Sequence, residues 1–459
     1  MGKQTPVRRN DDIALMIDAL GAEGQGIGRV EGYAVFVPGA LPGERVRAHV
    51  IKDGADYGIA KLLAVESSTE ERVLPPCPAY ERCGGCTLQH LSYPAQLAYK
   101  RKAVEDALRR IGGFADIEVP PVLGMEEPWQ YRNKGSFPFA VIDGRAQTGF
   151  FAPRSHRLVP LEDCLIEKTP VLLSMLAVRD WADEQRVPVY DEQTGRGLLR
   201  HVVARAAQTG EVMVTVVASA ALPGTRQLIE TLRARVEGLK SVYLNIQKTR
   251  SNVILGGENR LLWGEPQIAD RLCGLAFSIG PASFLQVNPA QTEKLYRTAL
   301  DFLAPGGGEK IVDAFCGIGT ITLLLARHAA EVVGIENVPG AVEDARRNAE
   351  RNGIKNARFL CAPAEDALPA LLKEGFAPDA VVLDPPRKGA EEGFLRALAE
   401  SGVKRAVYIS CNPATLARDC KLLAAGGYRI EKIQPVDMFP QTTHVEVIIM
   451  MTYCGRDKK

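Results

Sequence analysis

The stretch KIVDAFCGIGTITLLLA, residues 310–326, joins a short β-branched run to a glycine turn and then to an apolar helical pattern. Four more such runs follow, namely EVVGIE, ARFLC, DAVVLD and RAVYIS, with a helical pattern after each. Strands that alternate with helices predict a parallel sheet with helices on both faces. The chain then gives two long strand-like runs, YRIEKIQPVDMF and HVEVIIMMTY, which predict an antiparallel pair at one edge. The predicted fold class is α/β, with a doubly wound, Rossmann-like sheet.

Three parts of the chain differ in pattern, as expected for 459 residues, which are too many for one ordinary core. Residues 6–66 alternate apolar and polar residues between Gly and Pro turns, which predicts a small OB-like β-barrel of the kind that often binds oligonucleotides. Residues 67–280 predict a β-rich central domain with one helix near TRQLIETLRARV. Residues 281–459 contain the α/β pattern. A basic amphipathic helix is predicted over residues 94–111, and we expect it to pack on this last domain.

Composition and charge are those of a globular protein without an overall basic excess. Hydrophobic residues make up 46% and charged residues 24% of the chain, and 56 basic residues stand against 55 acidic ones. Any surface for nucleic acid must therefore be local. The N-terminal stretch MGKQTPVRRNDD is polar, and the apolar run ITLLLA is too short to cross a bilayer. We expect a cytoplasmic, monomeric protein that binds no membrane.

One candidate nucleic-acid surface is residues 129–157, where cations alternate with aromatic rings. Five Lys or Arg residues and one acid are interleaved there with Trp129, Tyr131, Phe137, Phe139, Phe150 and Phe151. Cations for phosphates beside rings for unstacked bases are what single-stranded RNA binding requires. A sheet with its aromatic residues inside and its charges outside gives the same pattern. The pattern alone leaves both interpretations open.

The turn after the first strand of the α/β domain is a candidate cofactor site. This strand ends in Asp313 and leads to Gly317 and Gly319, where glycine lets the backbone approach a ligand at the carboxyl end of the strand. The second strand ends in Glu336, which could accept hydrogen bonds from a ribose diol. The pattern fits a dinucleotide or S-adenosylmethionine. Because the third glycine of the dinucleotide fingerprint is missing, we favour S-adenosylmethionine.

Two more strand ends carry candidate site residues. Strand four leads into Asp384 of the rigid turn LDPPRKG, where Arg387 replaces the aromatic residue found in methylases of exocyclic amino groups. Strand five leads into Cys411 of YISCNPATLARDC. A free cysteine is most often a small buried hydrophobe. Its place at the same cleft, before a helix that begins at Pro413, instead favours a reactive thiol whose pKa the helix N-terminus would lower.

A thiolate beside a methyl donor suits methylation of a pyrimidine at carbon 5. Carbon 5 is a poor nucleophile, but addition of a thiolate to C6 makes it reactive as part of an enolate. A base on the opposite face of the ring must then remove the C5 proton, and TTHVEVIIM supplies Glu446 with His444 as its neighbour. Methylation of an exocyclic amine would need neither the thiolate nor this base.

The motifs SCNPATLARD, DPPRKG, DAFCGIGT, FLQVN and THVE together resemble the RNA uracil-C5 methyltransferases of the RumA type, over nearly the whole chain. The resemblance implies a TRAM RNA-binding domain at residues 6–66, a β-rich central domain and a methyltransferase domain. It implies that Cys411 is the nucleophile and that Glu446 is the base. Cofactor contacts are implied at Gln286, Phe315, Glu336 and Asp384.

The resemblance also points to the substrate. The family acts chiefly on RNA of the large ribosomal subunit, so the expected target is a uridine in 23S ribosomal RNA. One ribosomal branch reads D-P-A-R and C-G-x-G-N where this chain has Pro386 and Thr320, so the target uridine stays open. Because some relatives modify the T-loop of transfer RNA, that substrate is the alternative. A non-catalytic RNA-binding or assembly factor is the alternative from another class, against which the presence of both Cys411 and Glu446 argues.

The ten cysteines argue for metal binding or catalysis rather than for disulfides. Cys77, Cys83 and Cys86 fall within ten residues, and Cys164 is the only other cysteine before residue 273. From spacing alone, zinc and an iron–sulfur cluster compete for these four thiolates. The resemblance favours a 4Fe–4S cluster with a structural role, and redox sensing is the alternative. The remaining cysteines are assigned to packing, namely Cys273, Cys316, Cys361, Cys420 and Cys454.

Overall fold

The computed structural model of this chain describes residues 5–455. The first four residues of the polar N-terminal stretch and the last four residues of the predicted domain 281–459 lie outside the described residues. Within residues 5–455, every helix is too short or too polar to span a bilayer.

The N-terminal part is a closed barrel whose strands are short and alternate in burial. Its strands are Asp12–Leu20 (β1), Gly26–Val30 (β2), Tyr33–Val37 (β3), Arg45–Asp53 (β4) and Tyr57–Ser67 (β5), in the order β1-β2-β3-β5-β4. Val46, Ala48 and Val50 are fully buried while their neighbours along β4 face outward, which is the period of two expected for a half-buried strand. The predicted five-stranded barrel is confirmed.

A seven-stranded sheet forms the central part. Its elements are a helix Tyr93–Ala107 (α1), strands Lys134–Ile142 (β6), Arg145–Phe151 (β7) and Leu158–Pro160 (β8), a helix Thr169–Glu184 (α2), strands Leu199–Ala206 (β9) and Val212–Ala218 (β10), a helix Thr225–Arg235 (α3), and strands Leu239–Ile246 (β11) and Glu258–Gly264 (β12). The sheet order is β12-β11-β10-β9-β6-β7-β8. The predicted helix 94–111 is regular only to residue 107 and continues as a π-helical turn, Leu108–Gly112.

Helix α2 was not predicted from the sequence, which indicated a single helix among the strands of this part. Its buried residues include Val171, Met175, Val178 and Ala182, which follow helical spacing and cover one face of the sheet. That signal was present in TPVLLSMLAVRDWADE, but the surrounding β-branched runs obscured it.

The basic and aromatic stretch 129–157 agrees with the interpretation of a sheet whose aromatic residues lie inside and whose charges lie outside. Tyr131, Phe137 and Phe139 are 3%, 0% and 5% exposed, so these rings cannot stack on bases. Arg154 and Arg157 are exposed, as expected for charges outside a sheet. The three buried rings therefore belong to the protein interior, whereas Trp129, Phe150 and Phe151 are half-buried.

The C-terminal part is the predicted α/β unit, preceded by a hairpin and a helix. The elements are Ile268–Leu272 (β13), Leu275–Ile279 (β14), Pro289–Leu303 (α4), Lys310–Ala314 (β15), Thr320–Ala326 (α5), Glu331–Glu336 (β16), Pro339–Arg351 (α6), Ala357–Cys361 (β17), Ala364–Lys373 (α7), Ala380–Leu383 (β18), Glu392–Ser401 (α8), Arg405–Ser410 (β19), Pro413–Ala425 (α9), Tyr428–Val436 (β20) and Glu446–Tyr453 (β21). The sheet order is β17-β16-β15-β18-β19-β21-β20. Strand β21 runs antiparallel to both of its neighbours, whereas the pairs from β17 to β19 are parallel. The doubly wound sheet with an antiparallel edge is confirmed.

Helices cover both faces of this sheet, so its strands are nearly continuous hydrophobic runs. Helices α4, α5 and α6 share one core with the sheet, and α7, α8 and α9 share the other. Val104 and Ala107 of α1 and Leu108 of the π-helical turn lie in this second core. Helix α1 therefore joins the helical layer of the α/β unit. The domain bounds 6–66, 67–280 and 281–459 stay a prediction.

Candidate active site

Four strand ends meet at the carboxyl edge of the α/β sheet. Strand β15 pairs with β16 and β18, and β18 pairs with β19, all in parallel register. The residues that end or follow these strands are Phe315, Glu336, Asp384 and Cys411. This edge of an open parallel sheet is where ligands bind.

The Glu336 carboxylate is fixed by backbone donors on both of its oxygens. One oxygen accepts from Gly317 N at 3.1 Å, and the other accepts from Asn337 N and Val338 N at 2.9 Å each. Three N–H donors hold the carboxylate in one orientation. The carboxylate is half-buried, so its remaining lone pairs can accept hydroxyl groups from a ligand.

The two glycines of the cofactor turn serve different purposes. Both have left-handed backbone angles, φ +54° at Gly317 and +85° at Gly319. A Cβ at Gly317 would meet no atom within 4 Å, which leaves the backbone open to a ligand. A Cβ at Gly319 would lie 3.2 Å from Ala345 Cβ and 3.3 Å from the Phe359 ring, so this glycine permits close packing of the turn.

Phe315 combines a ligand-facing position with backbone strain. Its φ is +67°, which a bulky residue rarely adopts and which concentrates at functional sites. Its ring packs edge-on against Phe394 at 5.8 Å between centroids. Beneath the turn, burial raises the pKa of Asp313 to about 7, and its Oδ1 has no hydrogen-bond partner among the described residues.

Gln286 lies in the loop between β14 and α4, which precedes the four strand ends in the sequence. Ser283 of this loop donates to Asp344 Oδ2 of α6 at 2.7 Å, which ties the loop to the sheet's helical layer. Tyr296 of α4 is buried beside Asp384, whose charge together with burial raises the pKa of Tyr296. In the described part of the chain, the Gln286 amide makes no hydrogen bond. It is therefore free to bind a ligand.

Cys411 and Glu446 face each other across adjacent strands. Ser410 and Val447 are the last paired residues of β19 and β21, so the next residues on the two strands are Cys411 and Glu446. Opposite residues of an antiparallel pair have Cα atoms about 4.5–5.5 Å apart. Glu446 is only 3% exposed, and burial, reinforced by the Asp384 charge, raises its pKa to about 8.

The Cys411 thiol is less acidic than the sequence suggested. Burial, followed by the carboxylates of Glu446 and Asp384, raises its pKa to about 11, and Arg387 opposes this rise. The predicted lowering by the helix N-terminus is therefore wrong, because desolvation and two nearby carboxylates outweigh it. Helix α9 begins at Pro413 as expected, and Asn412 caps it, with its Oδ1 accepting from Ala414 N at 3.1 Å.

Arg387 is a site residue that the sequence interpretation did not assign. Its charge lowers the pKa values of both Cys411 and Glu446. Its Nη2 lies 3.3 Å from His444 Nδ1, and its carbonyl accepts from Asn412 Nδ2 and Thr415 Oγ1 at 3.2 Å each. Desolvation and this cation lower the pKa of His444, which favours its neutral form. The position of Arg387 directly after the D-P-P turn was the available signal.

Four cysteines from separate parts of the chain line one pocket. Cys77, Cys83 and Cys86 meet Cys164 there, with Phe150, Leu161 and Ile166 among the apolar walls. In residues 5–455, no three of the His, Cys, Asp and Glu side chains are arranged to hold a single metal ion.

The cysteines assigned to packing divide into two groups. Cys273, Cys316 and Cys420 are buried, as expected. Cys361 and Cys454 are exposed, so the packing assignment is wrong for these two. Each follows or ends a strand at a point where the sequence shows no difference from a buried position.

Comparison with known proteins gives matches over the whole chain. The profile of a family described as tRNA (uracil-5-)-methyltransferase matches residues 206–453, and the TRAM-domain profile matches residues 8–63. An uncharacterized RNA methyltransferase of Halalkalibacterium halodurans is 44% identical over 451 residues, which are 98% of each chain. One from Clostridium tetani is 44% identical over 463 residues, covering 100% of each. The crystal structure of the Pyrococcus abyssi tRNA (uracil-54, C5)-methyltransferase in complex with S-adenosyl-L-homocysteine has a TM-score of 0.77 and 28% identity, covering 96% of this chain and 100% of that one.

Proposed function

This chain belongs to the tRNA (uracil-5-)-methyltransferase family, an S-adenosylmethionine-dependent family of RNA methyltransferases, and we propose that it methylates C5 of a uridine in 23S ribosomal RNA. The observation that carries the proposal is the meeting of Cys411 and Glu446 at the ends of β19 and β21, beside the cofactor turn. Methylation at carbon 5 needs a nucleophile and a base in one cleft, whereas methylation of an exocyclic amine needs neither.

The proposed reaction has three steps, each of which uses named groups of this chain. The Cys411 sulfur forms a bond to C6 of the uracil ring, and the electron pair moves to the C4 carbonyl as an enolate. Carbon 5 then attacks the methyl group of the sulfonium, and S-adenosylhomocysteine leaves. Glu446 takes the C5 proton, and the electrons of that C–H bond reform the C5–C6 double bond as the bond to Cys411 breaks.

The environment of the Cys411 thiol requires that it be deprotonated before the first step. A thiol with a pKa of about 11 is almost entirely protonated at neutral pH, so it must give up its proton to solvent before the thiolate adds to C6. Arg387 stabilises both the thiolate and the Glu446 carboxylate through its charge. We therefore assign Arg387 the role of favouring the ionised forms of both groups.

The cofactor contacts of the proposal follow the geometry of the cleft. Glu336 would accept the ribose hydroxyl groups of S-adenosylmethionine, and the open backbone at Gly317 would approach the rest of the donor. Gly319 would hold the turn against α6, and Phe315, Asp384 and Gln286 would line the remaining surface.

We also propose that Cys77, Cys83, Cys86 and Cys164 hold a 4Fe–4S cluster with a structural role. The donor set fits this group, since four thiolates line one pocket with apolar walls. A zinc ion needs four sulfurs about 3.8 Å apart, which follows from a Zn–S bond of about 2.3 Å, whereas a cluster accepts thiolates at its separated corners. Visible absorption by the purified protein with stoichiometric iron supports the cluster. A colourless protein with one zinc per chain contradicts it.

Transfer RNA is the second candidate substrate. The description of the family names tRNA, and the Pyrococcus abyssi relative of known structure is a tRNA (uracil-54, C5)-methyltransferase. The resemblance to the RumA-type enzymes, which act chiefly on RNA of the large ribosomal subunit, favours ribosomal RNA. The four cysteines do not distinguish the two substrates, because some relatives that retain them modify transfer RNA. A non-catalytic RNA-binding or assembly factor is disfavoured by the nucleophile and base in one cleft. The cytoplasmic location and the monomeric state stay predictions.

The proposal is tested with 23S ribosomal RNA and transfer RNA that carry 5-fluorouridine, each incubated with S-adenosylmethionine. The fluorine cannot leave as a proton does, so the reaction should stop at a covalent protein–RNA adduct. We expect the adduct with ribosomal RNA and its loss in Cys411→Ser. An adduct with transfer RNA alone would make that RNA the substrate, and absence of any adduct with either RNA would reject the nucleophile.

A further inference from the structure

The loop that joins β20 to β21 is held by an unbroken series of hydrogen bonds. Its first five residues, 437–441, each offer a backbone carbonyl to a donor from elsewhere in the chain. The donors in chain order are Gln291 Nε2 at 2.9 Å, Asn288 Nδ2 at 3.0 Å, Lys100 Nζ at 3.0 Å, Tyr131 Oη at 2.9 Å, and for Gln441 both Thr87 N at 2.9 Å and Leu88 N at 3.0 Å. We call residues 437–445 the clamped loop.

The clamped loop controls where Glu446 sits. Val436 and Glu446 are cross-strand partners, so the loop starts and ends at the position of the proposed base. In the described residues, no group donates a hydrogen bond to the Glu446 carboxylate. Its direction therefore depends on the backbone on either side of it, and the clamped loop is one of those sides.

Gln96 of α1 makes a reciprocal amide pair with Gln441 of the clamped loop. Its Nε2 donates to Gln441 Oε1 at 3.0 Å, and its Oε1 accepts from Gln441 N at 3.0 Å. The same Nε2 also lies 3.0 Å from Leu88 O and 2.9 Å from Leu91 O, in the segment that follows Cys86. Gln96 is 1% exposed, so it joins three segments inside the protein.

Gln441 needs this support because its backbone is strained. Its φ of +69° lies in the left-handed region, which costs a residue other than glycine about 1–3 kcal/mol. Such strain persists only where surrounding contacts over-determine it. The Gln96 amide supplies two of these contacts, one to the backbone N–H and one to the side chain of Gln441.

We propose that Gln96 is a positioning residue for removal of the C5 proton, and the inference rests on the proposed function. It fixes the left-handed turn at Gln441 and thereby the path of the chain into Glu446. It touches neither the uridine nor the methyl donor. Loss of its amide should therefore slow the step that uses Glu446 and leave the steps that use Cys411 and the methyl donor unchanged.

Two substrates separate these steps. Formation of the 5-fluorouridine adduct needs attack by Cys411 and methyl transfer, but no proton is removed. Release of tritium from RNA labelled at C5 of uridine needs Glu446 in addition. A variant that is merely misfolded loses both reactions together, whereas a misplaced base affects only the second.

The test compares Gln96→Met with the wild type in single-turnover reactions at saturating RNA and S-adenosylmethionine. Tritium release should fall roughly 10- to 100-fold, the range for misplacing a general base, and the rate of adduct formation should stay unchanged. Gln247→Met is the matched control. Gln247 is also a buried glutamine, but its side chain bonds only to Thr249 and Val253 of its own loop, so both rates should match the wild type.

If Gln96→Met does not fold, the comparison is made with Gln441→Gly. Glycine adopts the left-handed φ without strain and keeps the backbone N–H and carbonyl, so it removes only the side-chain half of the pair. Its tritium release should fall below that of the wild type, and by a larger factor than its adduct formation. Equal loss of both reactions, or no loss of tritium release, overturns the inference. A wild type that forms no adduct overturns the proposed function instead.

Discussion

Arg387 and two carboxylates have opposite effects on the pKa of Cys411. Burial and the charges of Glu446 and Asp384 favour the protonated thiol, and Arg387 opposes them. The thiol and Glu446 must both be ionised during the proposed reaction, so a single cation assists two groups whose own charges repel each other. An arginine suits this task because it stays charged throughout the accessible pH range.

The first prediction concerns the pH profile of methyl transfer. Because Glu446, with a pKa of about 8, and Cys411, with a pKa of about 11, must both lose protons, single-turnover rates should rise as the pH increases from 6 to 10. Arg387→Met raises both pKa values, so its rate should fall most at pH 7; by pH 10 only the part of the loss that is due to Glu446 should be recovered, because Cys411 is still mostly protonated there. Arg396→Met, an exposed arginine of α8, is the control. An equal loss at every pH would mean that Arg387 does not act through the pKa of Glu446.

The second prediction concerns stability. The pKa of Glu446 rises from an ordinary value of 4.5 to about 8 on folding, so the folded state binds more protons between these values. Stability should therefore fall as the pH rises from about 4.5 to 8. Glu446→Gln removes this loss, and its free energy of unfolding should exceed that of the wild type at pH 9 by no more than about 5 kcal/mol. Denaturant titrations at pH 4 and pH 9 check this, with a difference at pH 9 only.

The sequence predicts positions at this scale better than it predicts environments. Glu336, Asp384 and Cys411 were predicted to lie together because a parallel sheet brings its strand ends to one edge, whereas Phe315 came from the family resemblance. The direction in which the pKa of Cys411 shifts was not predicted, since it depends on burial and on carboxylates from two other strands. Spacing along the chain carries no information about such charges.

Among the elements, α1 shows how a charged residue can belong to a core. The sequence indicates a basic amphipathic helix, whose charged residues would face solvent, yet Lys100 and Asp437 are both fully buried and form an ion pair. Asp437 also accepts from Tyr93 Oη at 2.8 Å, and Lys100 donates to Phe439 O. Because the partners lie 337 positions apart, no local pattern could predict the pair.

The third prediction tests this buried pair. Lys100→Met leaves Asp437 charged and buried, so the free energy of unfolding should fall by about 3–5 kcal/mol. Adding Asp437→Leu removes the uncompensated charge and should restore most of that loss. Chemical denaturation of both variants measures the difference. A double variant no more stable than Lys100→Met would mean that the hydrogen bond from Tyr93 matters more than the ion pair.

At the scale of the whole molecule, the barrel touches the clamped loop. The turn between β1 and β2 places Gly24 so that a Cβ would lie 3.0 Å from Thr443 Cγ2 and 3.1 Å from Leu88 Cδ2. Tyr99 of α1 donates to Gly21 O of the same turn at 2.8 Å. The N-terminal RNA-binding domain therefore contacts the segment that leads to Glu446.

The fourth prediction follows from this contact. Gly24→Ala adds a methyl group at φ +79° against Thr443 and Leu88, so it should disturb the seating of the barrel and lower RNA methylation roughly tenfold, with binding of S-adenosylmethionine unchanged. Gly32→Ala has the same backbone strain at φ +84° but meets no atom within 4 Å, and it should leave methylation as it is. Equal effects of the two substitutions would assign the loss to strain within the barrel.

The order of the parts along the chain could be predicted, but their contacts could not. The barrel was visible in its alternation of apolar and polar residues, and the α/β unit in its strand–helix repeats. Contact between Gly24 and Thr443 depends on how separately folded surfaces fit together. Helix α2 was missed for a different reason, since its helical spacing competed with strand-forming neighbours.

Strand β21 lies between β19 and β20 although it is made after both of them. As the chain leaves the ribosome, the thiol-bearing end of β19 and the methyl-donor turn are therefore complete before the strand that brings the carboxylate. Until then β19 and β20 each present an unpaired edge, which invites pairing with another chain. Arrival of β21 pairs both edges and, in the same event, brings the proposed base beside the proposed nucleophile.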